Sequence, residues 1–218
     1  MTTFPGSPKS FKGAIVAMDL ATNQLVSTIA FQYNPDTIGR TLNPQMSNQA
    51  GAKAEALYIK GAPSETIKLD IELDATDELE KGDKTAIELG IYPQLSALEI
   101  LVYPESNQIA FNMSQAKNGT IAIVMPEAPL TLLIWGNKRV LPVQLTDYNI
   151  NEEAYDVNLN PIRAKVSLSL RVLNYSDLPW DRGAKLFLAH HKGKERMAKK
   201  GRTISLSAVT SVNSNRFF

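Results

Sequence analysis

Ile67-Lys68-Leu69-Asp70-Ile71-Glu72-Leu73-Asp74 decides the fold class of this chain. Apolar and charged side chains alternate through it. Successive side chains on a strand point to opposite faces, so the segment predicts a strand with one buried face and one wet face. Working outward, Arg163 to Leu173 repeats the pattern, with Ala164, Val166, Leu168, Leu170 and Val172 alternating with Lys165, Ser167, Ser169 and Arg171. Shorter β-like runs lie at Phe11 to Met18, Leu25 to Tyr33, Thr120 to Met125, Leu130 to Trp135 and Val140 to Leu145. A turn at Asp19 to Asn23 makes the first two a hairpin. Asn34-Pro35 ends that hairpin, because proline cannot donate to a ladder. Gly136-Asn137 supplies a tight turn between two of the later runs.

Two helices interrupt this series. Tyr92-Pro93 opens one, Gln94 to Tyr103, with Leu95, Leu98 and Val102 on one side and Pro104 as its stop. Asp177-Leu178-Pro179-Trp180-Asp181 leads into the second, Arg182 to Lys200, whose apolar stripe is Leu186, Ala189 and Met197 and whose middle is weakened by Gly193. Residues 44–55 lack periodicity and read as a long loop. Seven or more strands around one or two helices predict a mainly β (α+β) fold, a barrel or sandwich. The expected division is a flexible arm at 1–10, a β-barrel domain at 11–175, a basic helical extension at 176–202 and a tail at 203–218.

Composition excludes several function classes. With 44% hydrophobic and 21% charged residues the chain has an ordinary globular balance, and a net charge of +1 does not mark it as a polyanion binder. There is no cysteine, which removes disulfides, thiolate metal sites and cysteine nucleophiles. Phe4-Pro5-Gly6-Ser7-Pro8 does not read as a signal peptide, and the longest apolar stretches, Ile121 to Met125 and Leu130 to Trp135, are too short to span a bilayer. Cytoplasmic assembly is expected, and export within a larger machine is compatible with it. Charge is segregated: residues 65–88 hold nine Asp/Glu against three Lys, a net of −6, and residues 181–202 hold eight Lys/Arg against two Asp/Glu, a net of +6.

Catalytic constellations are hard to find. The histidines, His190 and His191, are adjacent, so on a helix they point about 100° apart and do not share a metal in the usual way. No phosphate-binding or dinucleotide fingerprint occurs. Asp70, Asp74, Asp77, Glu78, Glu80 and Asp83 lack the spacing of a calcium loop and read as a solvated acidic face. Glu152, Glu153 and Asp156 have no nucleophile beside them and read as a strand-flanking turn. No enzyme activity, cofactor or metal is expected.

Four segments together resemble the tube-domain family of contractile injection systems: Ala30-Phe31-Gln32-Tyr33-Asn34-Pro35-Asp36-Thr37-Ile38-Gly39-Arg40, Leu69 to Asp74, Gly90-Ile91-Tyr92-Pro93-Gln94-Leu95-Ser96-Ala97-Leu98-Glu99, and Arg171 to Pro179 running into the basic helix. They cover about residues 11–202 in the expected order, and Phe-Gln-Tyr-Asn-Pro is the most specific. Within the family the chain looks most like the tube-baseplate adaptor, or tube initiator. The resemblance implies a barrel related to the inner-tube subunit, assembly as a homo-hexameric ring, and contacts with the spike protein, the inner tube protein and baseplate or sheath-initiator components. It implies no nucleic-acid partner and no membrane insertion. Close relatives often carry a LysM-type domain after the tube domain, and residues 203–218 are too few to form one.

Two groups of residues are candidates for partner contacts. Phe31, Tyr33, Asn34 and Pro35 either shape a turn at the barrel end or form a core strand and its stop. Arg182, Lys185, Lys192, Arg196 and Lys199 are either a partner face or a solvated helix face. An ordinary inner-tube subunit, and a module binding nucleic acid or anionic membrane through 182–202, are the alternative readings.

Overall fold

The computed structural model describes residues 11–19, 24–46, 58–117, 128–179 and 183–201. The expected arm at 1–10, most of the loop at 44–55, the run at Thr120 to Met125, Arg182 and the tail at 203–218 lie outside them. The described chain is mainly β. Strands β1 (Ala14–Met18), β2 (Leu25–Ala30), β3 (Ile38–Asn43) and β4 (Ser64–Asp74) come first. Helices α1 (Thr76–Glu80), α2 (Lys84–Leu89), α3 (Tyr92–Glu99) and α4 (Ser106–Lys117) follow. Then come β5 (Leu130–Ile134), β6 (Val140–Tyr155), β7 (Pro161–Val172) and α5 (Ala184–Lys200). Among the described residues the strands form one seven-stranded sheet, in the order β2-β1-β5-β6-β7-β4-β3, with every pairing antiparallel.

The deciding segment is a central strand. Ile67, Leu69, Ile71 and Leu73 of β4 are buried and lie opposite Leu170, Leu168, Val166 and Ala164 of β7, while Lys68, Asp70 and Glu72 remain exposed. Ile15, Ala17, Ile29 and Phe31 from the other flank of the sheet enter the same core. The sheet therefore curls so that its flanks share one interior, the expected barrel or sandwich arrangement with an open seam between edges β2 and β3. A second, smaller cluster lies on the opposite face of β1 and β5, where Val16, Leu130 and Leu132 are covered by Leu178 and by Leu186 of α5. Burial on both faces explains why β5, Leu-Thr-Leu-Leu-Ile, is almost entirely apolar and does not alternate.

Several elements differ from the sequence expectation. Strand β6 continues ten residues past Leu145, because a bulge at Thr146 resets the alternation. Leu145 faces Leu170, Thr146 is skipped, and Tyr148 and Ile150 face Leu168 and Val166. Odd-numbered residues thus face inward before the bulge and even-numbered ones from there to Glu152, which hides the period in the sequence. The Tyr148 hydroxyl is buried without a hydrogen-bond partner among the described residues, and burial, with Glu99 nearby, pushes its pKa up. Strand β2 leaves the ladder at Ala30, short of the expected Tyr33. Helix α3 buries Leu95 and Leu98 but ends at Glu99, so Val102 lies beyond it and is exposed, and Pro104 is not its stop. The acidic stretch after β4 holds α1 and α2, each too short for a legible period; Asp83 caps α2 by accepting the Ala86 amide at 2.9 Å. Gly90, with φ +57°, lets the α2–α3 junction press on β7: a Cβ there would sit 2.2 Å from the Pro161 carbonyl oxygen, and Ile91 donates to that oxygen at 2.8 Å.

Candidate assembly surfaces

The Phe31–Asn34 motif works as a clasp between the two flanks. Phe31 is 1% exposed, and its ring centroid lies 6.4 Å from that of Trp135. Gly13 makes room for the pair, since a Cβ there would lie 2.7 Å from both rings. Just past the ladder, the Gln32 side chain imitates a strand. Its Nε2 donates to the Asp74 carbonyl at 2.6 Å, and its Oε1 accepts the Asp74 amide at 2.9 Å. Asn34 does the same to the lead-in of β1: its Oδ1 accepts the Gly13 amide at 2.8 Å, and its Nδ2 donates to the Phe11 carbonyl at 2.9 Å. Two side-chain amides thus satisfy four backbone groups that no neighbouring strand supplies.

Tyr33 and Asn34 are exposed, and Pro35 is half-buried. Tyr33 lines a cleft of about 300 Å³ with Glu72, Asp74, Glu153, Arg163 and Lys165. Arg163 Nε reaches Asp74 Oδ2 at 2.8 Å, and Lys165 reaches Glu153 at 3.3 Å. Burial and then the carboxylates of Asp77, Asp74, Glu78 and Glu72 raise the Tyr33 pKa. Burial pushes Asp74 upward, but hydrogen bonds from the Thr76 hydroxyl and amide and the Arg163 guanidinium outweigh it and hold the carboxyl below its ordinary value.

The basic helix meets the opposite end of β4. Lys194 Nζ lies 3.3 Å from Glu65 Oε2, and Arg40 Nε of edge strand β3 donates to Glu65 Oε1 at 2.8 Å. Glu65 shares the inward face of β4 with Ile67 and is only 6% exposed, so the two cations supply the partners that a buried carboxylate needs. Two turns earlier on α5, Phe187 packs between Tyr175 and His191, with ring centroids 5.9 and 6.2 Å away. Burial, then Lys194, lowers the pKa of His190; a hydrogen bond with the Lys138 backbone and the charge of Glu65 oppose this.

Lys185, Lys192, Arg196 and Lys199 fall on one stripe of α5, being seven, four and three residues apart, and all are exposed. The helix therefore gathers four of the five residues expected to form a basic face, and Arg182 lies outside the described residues. What the sequence did not disclose is the groove beside this stripe. It encloses about 700 Å³ between α5 and the β5–β6 turn, with Val140, Leu186, Ala189 and Met197 among its lining and Lys138, Arg196, Lys199 and Lys200 contributing the cations. Its two walls are some fifty residues apart in the chain, so no local spacing signals it. Among the described residues no helix is long and apolar enough to cross a membrane, and no cluster of three metal-ligating side chains occurs.

The family model of contractile injection system tube proteins matches residues 12–177, from the lead-in of β1 to just beyond β7. The chain belongs to that family. As a tube protein it is a structural component of a phage-tail-like particle, and its family match stops before α5 begins. No curated protein matches the chain. Solved structures similar to this tube protein include a chain from the tail of an empty gene transfer agent particle, at 12% identity, covering 73% of this chain and 90% of that one with a TM-score of 0.28. Another is a chain of the virion of a native gene transfer agent particle, at 11% identity, covering 73% and 95%, with a TM-score of 0.25.

Proposed function

We propose that this tube protein is the tube-baseplate adaptor of its particle: a ring-forming, non-enzymatic subunit that joins the threefold spike to the sixfold inner tube and starts tube assembly. The observation that carries the reading is α5, a basic helix lying wholly outside the family-matched residues and tied back to the tube domain through Glu65. A plain tube layer needs no such addition; a subunit joining two unlike neighbours needs a second kind of surface. On this reading residues 11–175 are the tube domain, 176–202 the added docking element, and 1–10 and 203–218 an arm and a tail. Edges β2 and β3 would pair with ring neighbours, which also protects them from indiscriminate strand addition. Assembly would take place in the cytoplasm, with spike, tube and baseplate or sheath-initiator proteins as partners. The test is co-purification of the tagged chain with spike and tube subunits, followed by electron microscopy. Sixfold discs seated on spike tips are expected. A chain that ignores the spike and enters tubes at every layer is an ordinary inner-tube subunit.

A further inference from the structure

Strand β6 begins in the groove beside α5, at Val140, and ends at Tyr155 beside an exposed turn, Asp156 to Asn160. At about 3.3 Å per residue, its 16 residues hold these two places on the order of 50 Å apart. The turn presents two apolar side chains to solvent, Val157 at 98% and Leu159 at 73% exposure. It is built to hold them there. Asp156 Oδ1 accepts the amides of Asn158 at 2.7 Å and Asn160 at 2.8 Å, and its Oδ2 accepts Asn160 Nδ2 at 2.9 Å. Asn160 Nδ2 also donates to the Glu88 carbonyl at 3.0 Å, which fastens the turn to α2. Leu159 takes φ +64°, a left-handed conformation that a leucine adopts only at a cost and that the surrounding hydrogen bonds impose.

The surroundings of the two places are complementary. Glu88, Glu152 and Asp156 stand around the turn, with Glu153 close by but paired with Lys165, whereas Lys138, Arg196, Lys199 and Lys200 line the groove. The groove's apolar lining of Val140, Leu186, Ala189 and Met197, in about 700 Å³, has room for a valine and a leucine side chain. One end of the molecule is thus an acidic apolar knob and the other a basic apolar hole. Their separation along β6 keeps them from meeting within one chain.

We infer that the Val157/Leu159 turn of one copy seats in the α5 groove of a second copy. The contact is heterologous, so it propagates from copy to copy, into a ring where the rotation closes and into a stack where it does not. It does not depend on the adaptor reading, since it needs no spike or tube protein.

Sedimentation of the full chain at low ionic strength tests it, with two variants. In the knob variant, Val157→Asn with Leu159→Asn, asparagine accepts the left-handed conformation at 159, so the fold is retained and the knob is lost. In the hole variant, Met197→Glu places a carboxylate in the groove at an exposed helical position. The wild type is expected to self-associate, with affinity falling about tenfold or more at high salt. Each variant alone is expected to stay monomeric. An equimolar mixture is expected to give a species of two chains and no larger one, because only one intact knob and one intact hole then face each other. A wild type that stays monomeric at every concentration, a knob variant that associates as the wild type does, or a mixture that stays monomeric overturns the inference. If the monomeric wild type instead binds single-stranded DNA or anionic vesicles, and the substitutions Arg196→Glu and Lys199→Glu abolish that binding, the groove belongs to a polyanion.

Discussion

Residues 31–34 and α5 stand at opposite ends of β4 and turn their polar groups in opposite directions. Gln32 meets the last residue of β4 and Asn34 the lead-in of β1, each with both ends of its side-chain amide committed to backbone. At the start of β4, α5 commits Lys194 to Glu65 and leaves Lys192, Arg196 and Lys199 exposed in a stripe. The difference teaches that the most recognisable stretch of sequence is not the stretch most available to a partner. Phe-Gln-Tyr-Asn-Pro is distinctive because each of its first four positions has a separate place: a ring for the core, an amide for β4, an exposed aromatic at a cleft of paired charges, an amide for β1. The basic helix carries no comparable motif, because a charged surface asks only for charge.

The contrast is most easily broken at Phe31. Replacing this buried ring with alanine empties the space against Trp135 and is expected to cost about 3–5 kcal/mol, read from the midpoint of urea unfolding. Gln32→Ala leaves the amide and carbonyl of Asp74 without their partner and is expected to cost about 1–3 kcal/mol. If that variant unfolds at the wild-type midpoint, the clasp contributes nothing to holding the flanks together. Acid sharpens the picture at the same corner. The folded-state pKa of Asp74 is depressed, so its contribution is fully present above the unfolded value of about 3.9 and is lost as pH falls through the lower folded value. Asp74→Asn should therefore lower stability at neutral pH and bring the variant closer to the wild type as the medium is acidified, as followed by thermal unfolding across pH. The smallest effect on stability is expected at the other region. Lys192→Glu combined with Arg196→Glu should change the unfolding midpoint by no more than about 0.5 kcal/mol. The same pair should abolish capture of the partner subunits in a pull-down. Undiminished capture removes the stripe from the interface.

How much of this was legible in the sequence depended on how regular each element is. Strands β4 and β7 announced themselves, because period two and one-sided burial coincide there, and the first residues of β6 were legible as a short β-like run. Strand β3 did not, because at the edge only Ile38 packs on the core and Arg40 takes the next inward position to pair with Glu65. Helix α4 was missed because it has no buried residue to impose a period. The basic stripe of α5 was legible as helical spacing. The clasp was visible only as a turn at the barrel end or a core strand and its stop, since no pattern of hydrophobicity reveals that Gln32 and Asn34 stand in for backbone. The groove and the knob depend on which elements the fold brings side by side, and the exposure of Val157 and Leu159 is invisible until the hairpin is drawn.

The bulge at Thr146 makes the length of the chain, more than the identity of this residue, the property that inheritance must preserve here. Thr146 Oγ1 donates to the Ser169 carbonyl at 3.1 Å, a contact that serine reproduces and alanine forgoes at small cost. Deleting position 146 is a different matter. Tyr148 and Ile150 would turn toward water and Asp147 and Asn149 toward the core, as far as the next irregularity, just after Glu152. A single codon is thus a parity bit for the stretch from Asp147 to Glu152, and a gene that drifts freely in spelling at this point can scarcely drift in count.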